Sequence, residues 1–134
     1  LARTLEQNLF QNNFQSYLLD RRNVSLGVSA DLKNPESTIE EESARRLGEV
    51  AKLFLDAGHV VISTSNAFHR EDQEDLKLLA NPYQVIEIQI SSKATSEPDI
   101  LLSIDEAQNV KEASNKIQNF LKEKKILTGH NYSI

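Results

Sequence analysis

Apolar positions recur along the chain in two periods. Leu1, Leu5 and Leu9 fall four residues apart, which predicts an amphipathic helix already under way at the first residue. A short run over 16–19 predicts a strand ending at Asp20, and residues 21–36, with Gly27 and Pro35, read as a loop. Thr38 and Glu41 form a capping-box pattern that opens a helix to about Ala57. Its inward stripe would be Ala44, Leu47, Ala51, Phe54 and Leu55, and Gly58 is its stop. The β-branched run at 60–63 predicts a strand buried on both faces. A helix over 71–79, strands over 85–90 and 100–104, and a helix over 110–124 follow. The last helix would turn Val110, Ala113, Ile117, Phe120 and Leu121 inward.

Strands that alternate with helices predict an α/β fold, a three-layer parallel sheet with helices on both faces. Such sheets take ligands at the carboxyl ends of their strands. That singles out the segments 20–32, 64–70 and 91–98 as candidate site loops. A length of 134 residues fits one domain. We place it at 1–127, with 128–134 as a tail. The opening helix has no capping residue before it, so we expect the domain to begin upstream of Leu1.

Charge narrows the function classes. With 20 acids against 15 bases the net charge is −5, which disfavours a general nucleic-acid binder. No apolar run reaches membrane-spanning length, and no partner membrane is expected. There are no cysteines, so disulfides and thiolate metal sites are excluded, and a cytoplasmic location is the expectation. His59, His69 and His130 are scattered, and we assign no metal ligands. The lysines at 122, 124 and 125 read as the solvated end of the last helix. Arg45 and Arg46 could meet an anion at the mouth of the sheet. The i,i+4 spacing favours instead a pairing with glutamates one turn earlier, as Glu41–Arg45 or Glu42–Arg46.

Several segments carry a family resemblance in order and at matching spacing. They are Leu1-Ala2-Arg3, Leu18-Leu19-Asp20, Asn23, Gly27, Asp31-Leu32, Arg45-Arg46, Val50-Ala51-Lys52-Leu53-Phe54 and Asp56-Ala57-Gly58. Through them the chain resembles adenylylsulfate kinase, the P-loop enzyme that phosphorylates the 3′-hydroxyl of adenosine 5′-phosphosulfate. The resemblance implies a P-loop kinase fold, and it places Leu1 just after the family's P-loop. It marks Asp20 and Asn23 as catalytic positions and Arg45, Arg46 and Arg70 as substrate-binding ones. It implies ATP and Mg²⁺ as cofactors if a P-loop is supplied from elsewhere in the protein. It also implies a fused or associated sulfurylase, or another sulfate-activation protein, as partner, and a homodimer.

The departures from the family pattern fall on the ligand side. Gly27, Gly48, Gly58 and Gly129 are followed by Val28, Glu49, His59 and His130, so this chain holds no Gly-Lys pair of a P-loop. The family's first strand, central in its sheet, is missing with it, which predicts a gap in the sheet. The family's Asp-Gly-Asp-Asn reads Asp20-Arg21-Arg22-Asn23, so a cation stands where the second acid would be. Ser25, Glu40, Ser43 and Ala67 replace an arginine, an arginine, an asparagine and a serine of the family, while Arg70 is kept. The long lid after the fourth family strand is reduced to 91–98. Together these changes imply a non-catalytic kinase-like domain with a regulatory or assembly role. The alternative is an active kinase whose P-loop lies outside these residues.

Overall fold

The computed structural model describes residues 1–32, 37–64, 70–92 and 102–127, with the side chains of 37–40 and of Arg70 outside that description. The elements run α1 (Ala2–Gln11), β1 (Ser16–Asp20), α2 (Arg21–Leu26), α3 (Ser37–Asp56), β2 (Val60–Thr64), α4 (Arg70–Ala80), β3 (Ile88–Ser91), β4 (Leu102–Asp105) and α5 (Val110–Glu123). Helices and strands interleave, except that α2 and α3, and β3 and β4, follow one another among the described residues. All strand pairing among the described residues is parallel. It forms two ladders, β1 with β2 and β3 with β4.

The chain divides into two compact units, 15–84 and 1–14 with 85–134. The first contains β1, α2, α3, β2 and α4. Its ladder sets Ser16 against Val60 and carries the register through to Asp20 against Thr64. Leu19, Val24 and Leu47 form the buried centre, with Val50, Ala51 and Val61 packed around it. One face of α3 also meets α4 closely at Gly48. A Cβ there would lie 2.7 Å from Leu79 Cδ1 and 3.0 Å from Leu76 Cδ2. Gly58 ends the helix at φ +88°, a conformation that glycine adopts without strain.

Three expectations need correction here. Residues 21–26 are helical rather than loop, because Asp20 caps them: its Oδ1 accepts the Arg22 N–H at 2.9 Å. Val60, Val61 and Ile62 are only half-buried, although a β-branched run reads as buried on both faces. The α3 stripe is likewise graded. Ala44 and Leu47 are buried, while Ala51, Phe54 and Leu55 are half-buried, with Phe54 stacked on Tyr17 at 4.2 Å between ring centres. The capping box at Thr38 lies outside the described side chains.

In the second unit α1 packs against α5, and α5 against β4. Leu5, Leu9, Ile104, Ala113, Ile117 and Leu121 are buried. The strand expected over 85–90 begins only at Ile88, and Val85 is exposed. Of the expected inward stripe on α5, Val110 is exposed and Phe120 half-buried. Ser114 and Gln118 are buried in the stripe instead. They are satisfied by α1: Asn8 Nδ2 donates to Ser114 Oγ at 2.9 Å, and Asn12 Nδ2 to Gln118 Oε1 at 3.2 Å. Two polar pairs spaced one helical turn apart fix which residues of α1 face which residues of α5.

Candidate functional site

Parallel pairing puts the carboxyl ends of β1 and β2 side by side, at Asp20 and Thr64. Ser63 and Thr64 are exposed there. Asp20 is half-buried and holds the first turn of α2 through its carboxylate. Arg22 and Asn23 follow within α2, both exposed. The Asn23 carbonyl accepts the Gly27 N–H at 3.0 Å, which closes the helix. Ser25 donates its hydroxyl to the Arg21 carbonyl at 2.9 Å. The structure therefore brings Asp20, Arg22 and Asn23 together at one strand end.

Arg45 and Arg46 lie in the middle of α3. Arg45 forks onto Glu42, with Nε to Oε2 and Nη2 to Oε1 both at 2.8 Å, and reaches Glu49 at 3.4 Å. Arg46 takes the expected i,i+4 bond to Glu42 at 2.8 Å. Arg45 turns to Glu42 and Glu49 rather than to Glu41. Arg46 also reaches Asp31 at 2.6 and 3.2 Å and the Val28 carbonyl at 3.1 Å. Asp31 lies fifteen residues away, so helical spacing alone gives no sign of this pair. Arg70 opens α4, and its side chain lies outside the described part, as do Glu40 and Ala67. Ser43 is buried within α3.

A second cluster ties the end of α3 to the turn after α4. Lys52 pairs with Asp56 at 3.1 Å, donates to the Asn81 carbonyl at 3.1 Å and lies 4.4 Å over the Tyr83 ring. The i,i+4 spacing of Lys52 and Asp56 is legible in the sequence, whereas the contact with Tyr83 is not.

The arginines hold Glu42 ionised to unusually low pH. Hydrogen bonds from Arg45 and then Arg46 bring its pKa from 4.5 down to about 2. The Arg46 bond lowers Asp31, and Lys52 followed by Tyr83 lowers Asp56. Folded-state values below the unfolded ones mean stabilisation that is complete above the ordinary carboxylate range and lost as pH falls through the folded values. Stability is thus expected to decline progressively from about pH 4.5 to pH 2. Glu42→Gln is expected to flatten that decline in an acid series of urea unfolding curves. An unchanged pH profile in the variant would show that Glu42 plays no part in it.

The sequence from residue 1 to 120 matches the family pattern of Adenylylsulphate kinase. This chain belongs to the adenylylsulfate kinase family. It is 40% identical over 88 residues to an adenylyl-sulfate kinase of Geotalea daltonii, covering 66% of this chain and 43% of the relative. To one of Shewanella baltica it is 38% identical over 127 residues, covering 90% and 57%. The chain spans about half the length of these curated relatives.

Solved adenylylsulfate kinases share the fold. A Mycobacterium tuberculosis APS kinase in complex with AMPPNP and APS superposes with a TM-score of 0.79 at 18% identity, over 90% of this chain and 88% of that one. A hexameric APS kinase from Thiobacillus denitrificans gives 0.78 at 21%, over 95% and 26%. The fold is thus α/β of the P-loop kinase kind, as the element order and the resemblance both imply. Within it, Asp20 ends β1, and Arg22 and Asn23 lie in the first turn of α2.

Proposed function

We propose that this chain is an adenylylsulfate-kinase-like domain that does not itself transfer phosphate and serves sulfate activation in a regulatory or assembly role. One observation carries the reading. At the carboxyl end of β1 the Asp20 carboxylate is engaged in capping α2, and the next acid of the family motif is replaced by the exposed cation Arg22. A kinase site needs oxygen ligands for Mg²⁺ and a base or acceptor near the attacking hydroxyl. A guanidinium supplies neither. Arg22 therefore does not fit Mg²⁺·ATP, and no catalytic step is assigned to it.

A second reading keeps the enzyme. The relatives from Geotalea and Shewanella are named adenylyl-sulfate kinases, and Asp20 and Asn23 are retained at the strand end. In that reading residues outside these 134 hold the ATP phosphates. Asp20 and Asn23 shape the acceptor side with Mg²⁺, and Arg45, Arg46 and Arg70 lie on its anionic side.

The partner we favour is a sulfurylase or another sulfate-activating protein, fused or associated. Self-assembly as a homodimer is the further proposal, and the hexameric relative supports oligomers in the family. The net charge of −5 supports a partner other than nucleic acid. No helix among the described residues is long and apolar enough to cross a membrane. We place the protein in the cytoplasm.

Calorimetric titration of the natural full-length protein with ATP, with and without Mg²⁺, separates the two readings. The non-catalytic reading expects magnesium to leave nucleotide affinity unchanged. Tighter ATP binding on adding magnesium would favour the enzyme.

A further inference from the structure

Arg46 stands in the family's Arg-Arg pair, which the resemblance assigns to the substrate. Its surroundings indicate another use. Four hydrogen bonds engage all three guanidinium nitrogens: Nε to Glu42, Nη1 to Asp31 and to the Val28 carbonyl, and Nη2 to Asp31. A guanidinium has five N–H groups, so one remains. Recognition of a sulfate or phosphate by an arginine fork takes two parallel N–H groups. Meeting such a ligand would break a bond already made. The charge balance is also unsuited to an anion, because Arg45 and Arg46 face three carboxylates, Asp31, Glu42 and Glu49.

What these bonds hold is the segment that follows α2. Residues 27–32 fold back in successive turns, with Ser29 N–H on the Val24 carbonyl at 2.8 Å, Ala30 N–H on Gly27 and Leu32 N–H on Ser29, both at 3.0 Å. Val24 and Ser29 are buried, while Gly27, Val28, Ala30 and Asp31 are exposed. Burial at Ser29 thus anchors the segment at one side only. At the exposed side Arg46 grips both a backbone carbonyl and a side chain of the turn and ties them to α3. The segment continues directly from the helix that carries Arg22 and Asn23.

We propose that Arg46 is a positioning residue that locks the 27–32 turn, and with it α2, onto α3, and that it does not receive the anionic ligand. The second half of this statement bears on the anionic acceptor that the enzyme reading assigns to Arg46; the lock itself does not depend on it.

The two effects of Asp31 have opposite signs, which makes it the discriminating position. If Arg46 binds an anion, Asp31→Asn frees it and anion binding tightens. If Arg46 is a lock, Asp31→Asn loosens the turn and weakens whatever the turn supports.

The test uses the natural full-length protein with Asp31→Asn, Arg46→Lys and the double variant. Amide hydrogen exchange at Ser29, Ala30 and Leu32 is expected to speed up about tenfold in each single variant, with no further gain in the double. Exchange in α4 is expected to stay unchanged, which a general loss of stability would not allow. Lysine is expected not to rescue, since it lacks the fork that spans Asp31 and Glu42. Unchanged exchange at the three amides would overturn the lock.

Titration with inorganic sulfate, followed by the Arg46 Nε–H nuclear resonance, checks the second half. No shift is expected in the unsubstituted protein. A saturable shift there, tightened by Asp31→Asn, would make Arg46 a ligand. Adenosine 5′-phosphosulfate that fails to bind anywhere would sink the enzyme reading, while the exchange result would still decide the lock.

Discussion

Leu47→Ala is expected to lower the stability of the folded protein by about 2–5 kcal/mol. Leu47 is 2% exposed and sits where α3 meets both the end of β1 and α2, against Leu19 and Val24. Truncation removes the apolar area buried there and leaves a cavity. Val50, Ala51 and Val61 line the same cluster from α3 and from β2, where hydrogen bonding restrains the backbone. The site therefore cannot collapse freely, which puts the cost toward the upper part of the range. Leu53→Ala on the same helix is the control, because Leu53 is 69% exposed and its loss is expected to stay within about 0.5 kcal/mol. Urea unfolding followed by far-ultraviolet circular dichroism reads both. Equal effects of the two substitutions would show that the Leu19–Val24–Leu47 cluster is not the centre of its unit.

Much of this architecture was legible because period and punctuation agree. Leu5 and Leu9 lie at helical spacing and are buried, and Gly58 ends α3 with the positive φ its position requires. The errors have a common physical origin. Periodicity reports which residues could be buried; what covers them is a tertiary property. Val60–Ile62 read as a two-sided core strand, yet they are half-buried, and β1 is the strand paired with them among the described residues. Val110 is apolar and in register with the α5 stripe but lies in the first turn and is exposed, while Ser114 and Gln118 are buried because Asn8 and Asn12 of α1 satisfy them.

The candidate site was less legible. Asp20 was identified as a strand-end residue, but its capping of α2 turned an expected loop into a helix. The Glu42–Arg46 bond followed from i,i+4 spacing. The Arg46–Asp31 bond spans a loop, where no fixed period connects sequence to distance. The side chain of Arg70, the remaining candidate, lies outside the described ones.

The other large effect concerns catalysis. Phosphoryl transfer depends almost wholly on positioning and charge stabilisation, so the loss of one well-placed group commonly costs about 10²–10³ in rate. In the proposed non-catalytic reading Arg22 stands where the family has an acid and Ser25 where it has an arginine, and Ser25 donates to its own helix. Such losses act on one charge distribution, so together they are expected to reduce turnover below detection. Arg22→Asp alone is expected not to restore it, because Ser25 and the other changed positions remain.

The most direct test is transfer of labelled γ-phosphate from ATP to adenosine 5′-phosphosulfate by the natural full-length protein, folded as judged by circular dichroism, in saturating Mg²⁺. The account expects a rate equal to that of the control without adenosine 5′-phosphosulfate. Turnover above that control, abolished by Asp20→Ala, would contradict it and establish the chain as part of a working kinase.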